Sequence, residues 1–211
     1  VTGFSVKQSN GSTVSNFVLY PAKHYVTDPT KHMDAFEQIK NDLLQWSGQL
    51  KKQGKILEAH RIEQRVTYDL EMIQEIGYVK GIENYSRYFD GRTPGEPPYT
   101  LLDYFNEPFG KDWLVIVDES HISFPQIRGM YASDQSRKKT LIDYGFRLPA
   151  AIDNRPLKFE EFMRRIPNFI ATSATPSEWE MSLASREGIS EQLVRPTGIP
   201  DPEVEIRPIN N

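Results

Sequence analysis

Trp113-Leu114-Val115-Ile116-Val117 is an unbroken apolar run that ends in the charged and polar stretch Asp118-Glu119-Ser120-His121. Five consecutive apolar residues leave no polar face for solvent, so the run predicts a strand buried on both faces of a parallel sheet. A second stretch, Asn168 to Thr172, ends in Ser173-Ala174-Thr175-Pro176 and predicts a second strand. Between them lie a helical stretch around Ser136 to Tyr144 and another around Phe159 to Ile166. Strand, helical crossover and strand together form the right-handed unit of an α/β domain. The expected fold class is therefore α/β.

The first half of the chain obeys a different period. Residues 1–16 suit an irregular segment or a weak edge hairpin, and Phe17 to Tyr20 reads as a short strand ended by Pro21. Asp28-Pro29 predicts a helix start, with the carboxylate as cap and proline where its missing N–H costs nothing. Phe36, Ile39, Leu43, Trp46 and Leu50 then recur at steps of three and four, while Lys40, Asp42, Lys51 and Lys52 fall off that face. Gly54 supplies a stop, and Leu57, Ile62, Val66, Leu70, Ile73 and Ile76 form a second stripe ending at Gly77. An antiparallel helical hairpin is expected, with its stripes as core and Arg61, Glu63, Arg65 and Glu71 on solvated faces. From Gly81 to Phe105 the chain is turn-rich and aromatic, which reads as a connector with its own packing.

Composition excludes several kinds of function. The chain has 211 residues, 38% hydrophobic and 11% aromatic, which predicts a packed domain. With no cysteine, thiolate zinc sites, disulfides and thiol nucleophiles are ruled out, and a reducing cytoplasmic location is permitted. No apolar run is long enough for a bilayer, and the opening residues lack an export signature. A net charge of −4 gives no global pull toward nucleic acid, so any DNA contact must come from local basic clusters. The candidates are Arg128, Arg137, Lys138, Lys139 and Arg147, interleaved with Tyr131, Tyr144 and Phe146, since a groove for a strand needs cations for phosphates and rings for bases. The same residues also read as the solvated face of a helix.

The chemistry is expected at the two strand ends, where open α/β sheets place their ligands. In a nucleoside triphosphatase the first carboxylate, here Asp118, would hold Mg²⁺ through its water shell, and the second, Glu119, would activate the attacking water. Adjacent residues leaving a strand point to different sides, so neighbouring acids can do both jobs. Ser173 and Thr175 carry hydroxyls that could bond to the acid loop, although Ser/Thr before proline is also an ordinary turn.

Together the two strand-end motifs resemble motifs II and III of superfamily 2 helicases, and the surrounding sequence resembles the UvrB family. The matching stretches are residues 20–27, Ile82-Glu83-Asn84-Tyr85-Ser86-Arg87, Pro94 to Phe105, Gln126 to Tyr131, Asp143 to Pro149, Asp153 to Leu157 and Arg195 to Pro202. The resemblance runs from about Tyr20 to Pro208. It implies a partial P-loop NTPase (RecA-like) helicase motor domain with a helical-hairpin insert. Residues 1–27 would be the tail of a UvrA-binding domain, 28–110 the helical and aromatic insert on the DNA-clamp side, 111–194 the later motor strands, and 195–211 a connector to a second motor domain. It also implies ATP and Mg²⁺ as cofactors, UvrA, UvrC and damaged duplex DNA as partners, and a role in nucleotide excision repair. Asp118 and Glu119 would be catalytic, and His121, Ser173 and Thr175 would couple nucleotide state to DNA or to the partner motor domain.

One motif is missing. No Gly-x-x-x-x-Gly-Lys-Ser/Thr phosphate loop occurs in the 211 residues, so this stretch is expected to be a fragment that does not turn over ATP by itself. The competing reading is a non-catalytic interaction module, a helical hairpin on a partial sheet that uses no nucleotide. A phosphate-loop lysine encoded upstream of Val1 would distinguish the two.

Overall fold

The three-and-four spacing of the first half forms two helices of equal length in the computed structural model, which describes residues 6–7, 13–14, 32–194, 197–200 and 202–207. They are α1 (His32–Lys52) and α2 (Ile56–Ile76), packed antiparallel around Gly54 in the left-handed conformation. Ile39, Leu50, Ala59, Ile62 and Val66 are fully buried between them. Two residues of the expected second stripe are exposed, Leu57 at 76% and Ile76 at 64%. Leu57 precedes Ile62 by five residues, a step that rotates it about 140° off the stripe, and Ala59 takes the core position. Ile76 lies in the last turn, before Gly77 redirects the chain.

The charges on α2 are not simply solvated. Arg61 donates to the carbonyl of Tyr144 at 2.5 Å and lies 4.4 Å from the Phe146 ring centre. Arg65 pairs with Asp69 at 3.0 Å and donates to the carbonyl of Lys80 at 2.9 Å. Asp69 is buried and also accepts the Tyr85 hydroxyl at 2.8 Å. Burial first, and then the Asp69 carboxylate, push the Tyr85 phenol far above its ordinary range. Glu63 pairs with Lys51 at 2.6 Å.

The aromatic stretch is part of the same core as the hairpin rather than a connector with its own packing. Val79, Ile82, Tyr85, Tyr88 and Phe89 pack with the hairpin and with Leu148 and Ala150, through a 3-10 turn at Ile82–Tyr85 and the short helix α3 (Ser86–Phe89). Helix α4 (Leu101–Phe109) follows, its first turn closed by the Asp103 carboxylate, which accepts the Thr100 amide at 2.5 Å and the Thr100 hydroxyl at 2.9 Å.

Polar ties fasten these pieces to the second half. Arg87 bridges Asp42 at 3.2 Å and Asp153 at 2.8 Å. Asp153 also accepts the Gly95 amide at 2.9 Å. Arg155 grips Glu161 with two nitrogens, at 2.7 and 3.0 Å, and donates to the Gly95 carbonyl at 3.1 Å. The Arg155 hydrogen bond, against the opposing effect of burial and aided by the Lys158 amide, holds the Glu161 carboxyl down to about 2. A carboxyl depressed in the folded state stabilises above its unfolded value of 4.5, and that contribution is lost as pH falls toward 2. Glu161→Gln is therefore expected to cost about 3 kcal/mol near pH 7, because it leaves Arg155 buried without its carboxylate. The gap between variant and wild type should close as pH drops from 4.5 toward 2 in urea unfolding. A gap that stays constant over that range would refute the assignment.

The second half holds a parallel pair, β3 (Val115–Val117) and β4 (Phe169–Ala171), with Val115 opposite Phe169 and Val117 opposite Ala171. Between them run α5 (Ser120–Asp143) and α6 (Phe159–Arg165), and α7 (Glu178–Leu183) follows. Two expectations are corrected here. The crossover helix does not begin near Ser136 but directly after Glu119, and Pro125 forfeits only one backbone bond without ending it. Nor is β3 buried on both faces, since Leu114 is 50% and Ile116 68% exposed beside Ile170 at 49%. A strand's burial depends on the layers stacked against it. On one face Phe124 packs edge-on against Phe159, Phe169 and Trp179, while among the described residues nothing covers Ile116 and Ile170.

The whole is mostly helical with a small two-stranded parallel sheet. An antiparallel pairing of β1 (Val6–Lys7) with β2 (Thr13–Val14) agrees with the weak hairpin read in residues 1–16. The strand expected at Phe17 to Tyr20, the helix start at Asp28-Pro29, and Arg195 and Pro196 of the connector lie outside the described residues. No described helix is long and apolar enough to cross a membrane.

Candidate functional site

Pairing of the two parallel strands continues past their ends. The Thr172 amide donates to the Val117 carbonyl at 2.9 Å, and the Ser120 amide donates to the Thr172 carbonyl at 3.0 Å. The Ser120 hydroxyl adds a second bond to that carbonyl at 3.1 Å. Residues 118–121 are thereby held against residues 172–173, far apart in sequence.

The strand turns into α5 across two residues, Asp118 and Glu119. Glu119 adopts φ 44° and ψ 51°, and among the described residues it is the only non-glycine with positive φ. A side chain in the left-handed region costs roughly 1–2 kcal/mol, and such strain persists only where the surroundings enforce it. Here the Glu119 carbonyl accepts the amides of Ile122 at 2.8 Å and Ser123 at 3.0 Å, while the Ser123 hydroxyl donates to the Asp118 carbonyl at 2.8 Å. The elbow leaves both carboxylates at the exposed edge of the sheet.

Asp118 Oδ1 accepts two donors, the Glu119 amide at 3.0 Å and Thr172 Oγ1 at 2.9 Å. Its Oδ2 has no hydrogen-bond partner among the described residues. His121 Nδ1 lies 2.7 Å from Ser173 Oγ and 3.5 Å from Glu119 Oε2. Ser173 Oγ also accepts the Thr175 amide at 3.0 Å. Asp118, Glu119, His121 and Ser173 are therefore brought together, whereas Thr175 joins through its backbone alone.

Two neighbours escape the sequence reading. Thr172 is legible there only as the end of a strand, yet its hydroxyl reaches Asp118. Glu180 is 8% exposed, and its carboxylate accepts the Ser177 amide at 2.7 Å. Burial opposes its ionisation, but the hydroxyls of Ser120 and Ser177, the Ser177 amide and the nearby His121 outweigh this and hold its carboxyl below the usual range. The capping-box spacing Ser177 to Glu180 is the signal that could find it.

The basic candidates are not one surface. Lys138 is 4% exposed and pairs with Asp134 at 2.8 Å, and Arg137 pairs with the same carboxylate at 3.1 Å. Residues adjacent on a helix point about 100° apart, so three cations in a row do not share a face. Lys139 is the exposed cation of the run that no carboxylate holds among the described residues. Arg128 lies over the rings of Phe159 and Trp179, at 4.5 and 4.9 Å from their centres. Arg147 donates to the Phe146 carbonyl at 3.1 Å, next to the exposed ring of Phe146.

A metal cage made of protein alone is not offered, because no group of three or more His, Cys, Asp or Glu is placed for one among the described residues. Mg²⁺ does not need such a cage. It keeps several waters and takes one or two carboxylates plus phosphate oxygens, and an exposed Asp118 with one free oxygen fits that demand.

Residues 30–91 match the family model described as the UvrB third helical domain. The chain is 55% identical over 195 residues to UvrABC system protein B of Pseudothermotoga lettingae, covering 92% of this chain and 29% of that protein. It is 53% identical over 205 residues to the protein of the same name from Kosmotoga olearia, covering 96% and 30%. For the Synechococcus elongatus protein the figures are 55% over 190 residues, covering 90% and 28%. The chain thus spans less than a third of the length of the curated relatives it matches.

Proposed function

We propose that this UvrB-family chain is part of the ATP-dependent, damage-handling component of the UvrABC nucleotide excision repair system, which binds damaged DNA and couples ATP hydrolysis to damage verification. Residues 111–194 would be the later strands of a RecA-like helicase motor, 28–110 a helical insert on the DNA-clamp side, 1–27 the tail of a UvrA-binding domain, and 195–211 a connector. UvrA, UvrC and damaged duplex DNA are the partners this reading requires, and Arg128, Arg137, Lys139 and Arg147 are the candidate DNA contacts, Lys138 being buried against Asp134.

The observation that carries the reading is the junction of the two strand ends, where Asp118, Glu119 and His121 meet Thr172 and Ser173. Bound Mg²⁺ and ATP would supply a polarised γ-phosphate at this edge. Asp118 would hold the ion through water with its unpartnered oxygen. Glu119 would take a proton from the attacking water. The Ser173–His121 contact at 2.7 Å would link the second strand to that acid through the imidazole, which lies 3.5 Å from Glu119 Oε2.

The test is Asp118→Asn in the full-length protein. An amide oxygen is a poorer ligand for a hard cation, so nucleotide binding is expected to need at least several-fold more Mg²⁺. Equilibrium titration of a fluorescent ATP analogue over a Mg²⁺ series measures it. Superimposable Mg²⁺ curves for variant and wild type would remove Asp118 from the metal.

A further inference from the structure

We propose that Thr172 is a positioning residue for Asp118, an inference that rests on the metal-holding role just assigned to that carboxylate. The Thr172 hydroxyl donates to Asp118 Oδ1 at 2.9 Å across 54 residues of sequence. It is placed there by its own backbone, whose amide bonds to Val117 and whose carbonyl takes two bonds from Ser120. Three contacts of one residue thus pin it against the end of β3 without help from the hydroxyl. The hydroxyl is then free to act on the carboxylate alone.

Its effect is orientation. With the Glu119 amide at 3.0 Å, Thr172 supplies the second of two donors converging on the same oxygen. Two donors on Oδ1 fix the plane of the carboxylate and leave Oδ2 directed away from both. The Glu119 amide alone cannot do this, because it belongs to the next residue and moves with the same peptide. Among the described residues only Thr172 ties the carboxylate to the neighbouring strand, and Ser173, the next residue, is the one that contacts His121. One short segment of the second strand end therefore holds Asp118 and His121 at once.

The experiment compares Thr172→Val, Thr172→Ser and Asp118→Asn in the full-length protein. Valine keeps the shape and removes the donor, while serine keeps the donor. Thr172→Val is expected to raise the Mg²⁺ concentration for half-maximal binding of the ATP analogue by about two- to tenfold, the range of one net hydrogen bond. Thr172→Ser should restore the wild-type Mg²⁺ curve, and all three variants should keep the wild-type melting temperature measured without nucleotide to within a few degrees. A merely structural threonine would shift melting and leave the Mg²⁺ dependence alone, which would overturn the inference. If Asp118→Asn shifts the Mg²⁺ curve and Thr172→Val does not, the positioning role fails and the metal role stands. If neither shifts it, both fail.

Discussion

Glu119→Gln in the full-length protein is expected to lower DNA-stimulated ATP turnover by at least about 10²-fold while nucleotide affinity changes by less than about twofold. The amide preserves the length and shape of the side chain but cannot accept a proton from water. It also preserves the left-handed elbow, since Gln faces the same steric cost at φ 44° as Glu, so the two proteins differ in one proton acceptor and little else. Steady-state turnover with DNA, paired with equilibrium binding of an ATP analogue, separates the two quantities. A loss of binding equal to the loss of turnover would mean that Glu119 shapes the nucleotide site and does not act on water. Turnover within about tenfold of wild type would remove it from the chemistry, because a positioned general base contributes about 10²–10⁴-fold.

The second large effect is structural and concerns Gly145. It sits at φ +70°, and a Cβ there would stand 2.8 Å from both the carbonyl carbon and the Cα of Glu58, and closer still to the Glu58 carbonyl oxygen. All three atoms are backbone of α2, so nothing flexible can yield. This close approach seats the end of α5 on the start of α2, where Lys55 donates to the Asp143 carbonyl at 3.2 Å and Arg61 to that of Tyr144 at 2.5 Å. Gly145→Ala is expected to cost at least about 3 kcal/mol, because overpacking against backbone adds to the strain of a left-handed alanine. Gly54→Ala is the control, with φ +77° and nothing within 4 Å of its Cβ, and should cost only about 1 kcal/mol. Urea unfolding of the two variants decides the point. Equal costs would show that the contact with Glu58 is not a constraint.

Local pattern alone determined the helical hairpin, the two strands and the place of the acids. Phe36, Ile39 and Leu50, then Ile62, Val66, Leu70 and Ile73, are buried as their spacing requires, because a helix repeats every 3.6 residues whatever surrounds it. Asp118, Glu119, His121 and Ser173 could be nominated for the same reason: a strand's end is marked in the sequence where apolar residues stop. The UvrB family resemblance, carried by short quoted stretches, needed no coordinates either.

Pairing across long separations was decided only by the tertiary structure. The Thr172–Asp118 bond spans 54 residues and the Arg87–Asp153 ion pair 66, and no periodicity encodes which cation finds which carboxylate. Lys138 looks like its neighbours Arg137 and Lys139 in sequence, but the turn of α5 puts it 4% exposed against Asp134. Arg61 looks solvated because its hydrogen-bond partner is the backbone carbonyl of Tyr144, a group that every residue carries and no sequence distinguishes, and Arg65 adds such a carbonyl, that of Lys80, to its local pair with Asp69. The burial of β3 is not legible either, because an apolar strand reports what could be covered, while the number of layers stacked on it decides what is. Glu119's left-handed turn is the extreme case: an unfavourable local conformation at a junction whose two sides, Val117 and Ser120, are both tied to Thr172, a constraint that only the folded chain could impose against the residue's own preference.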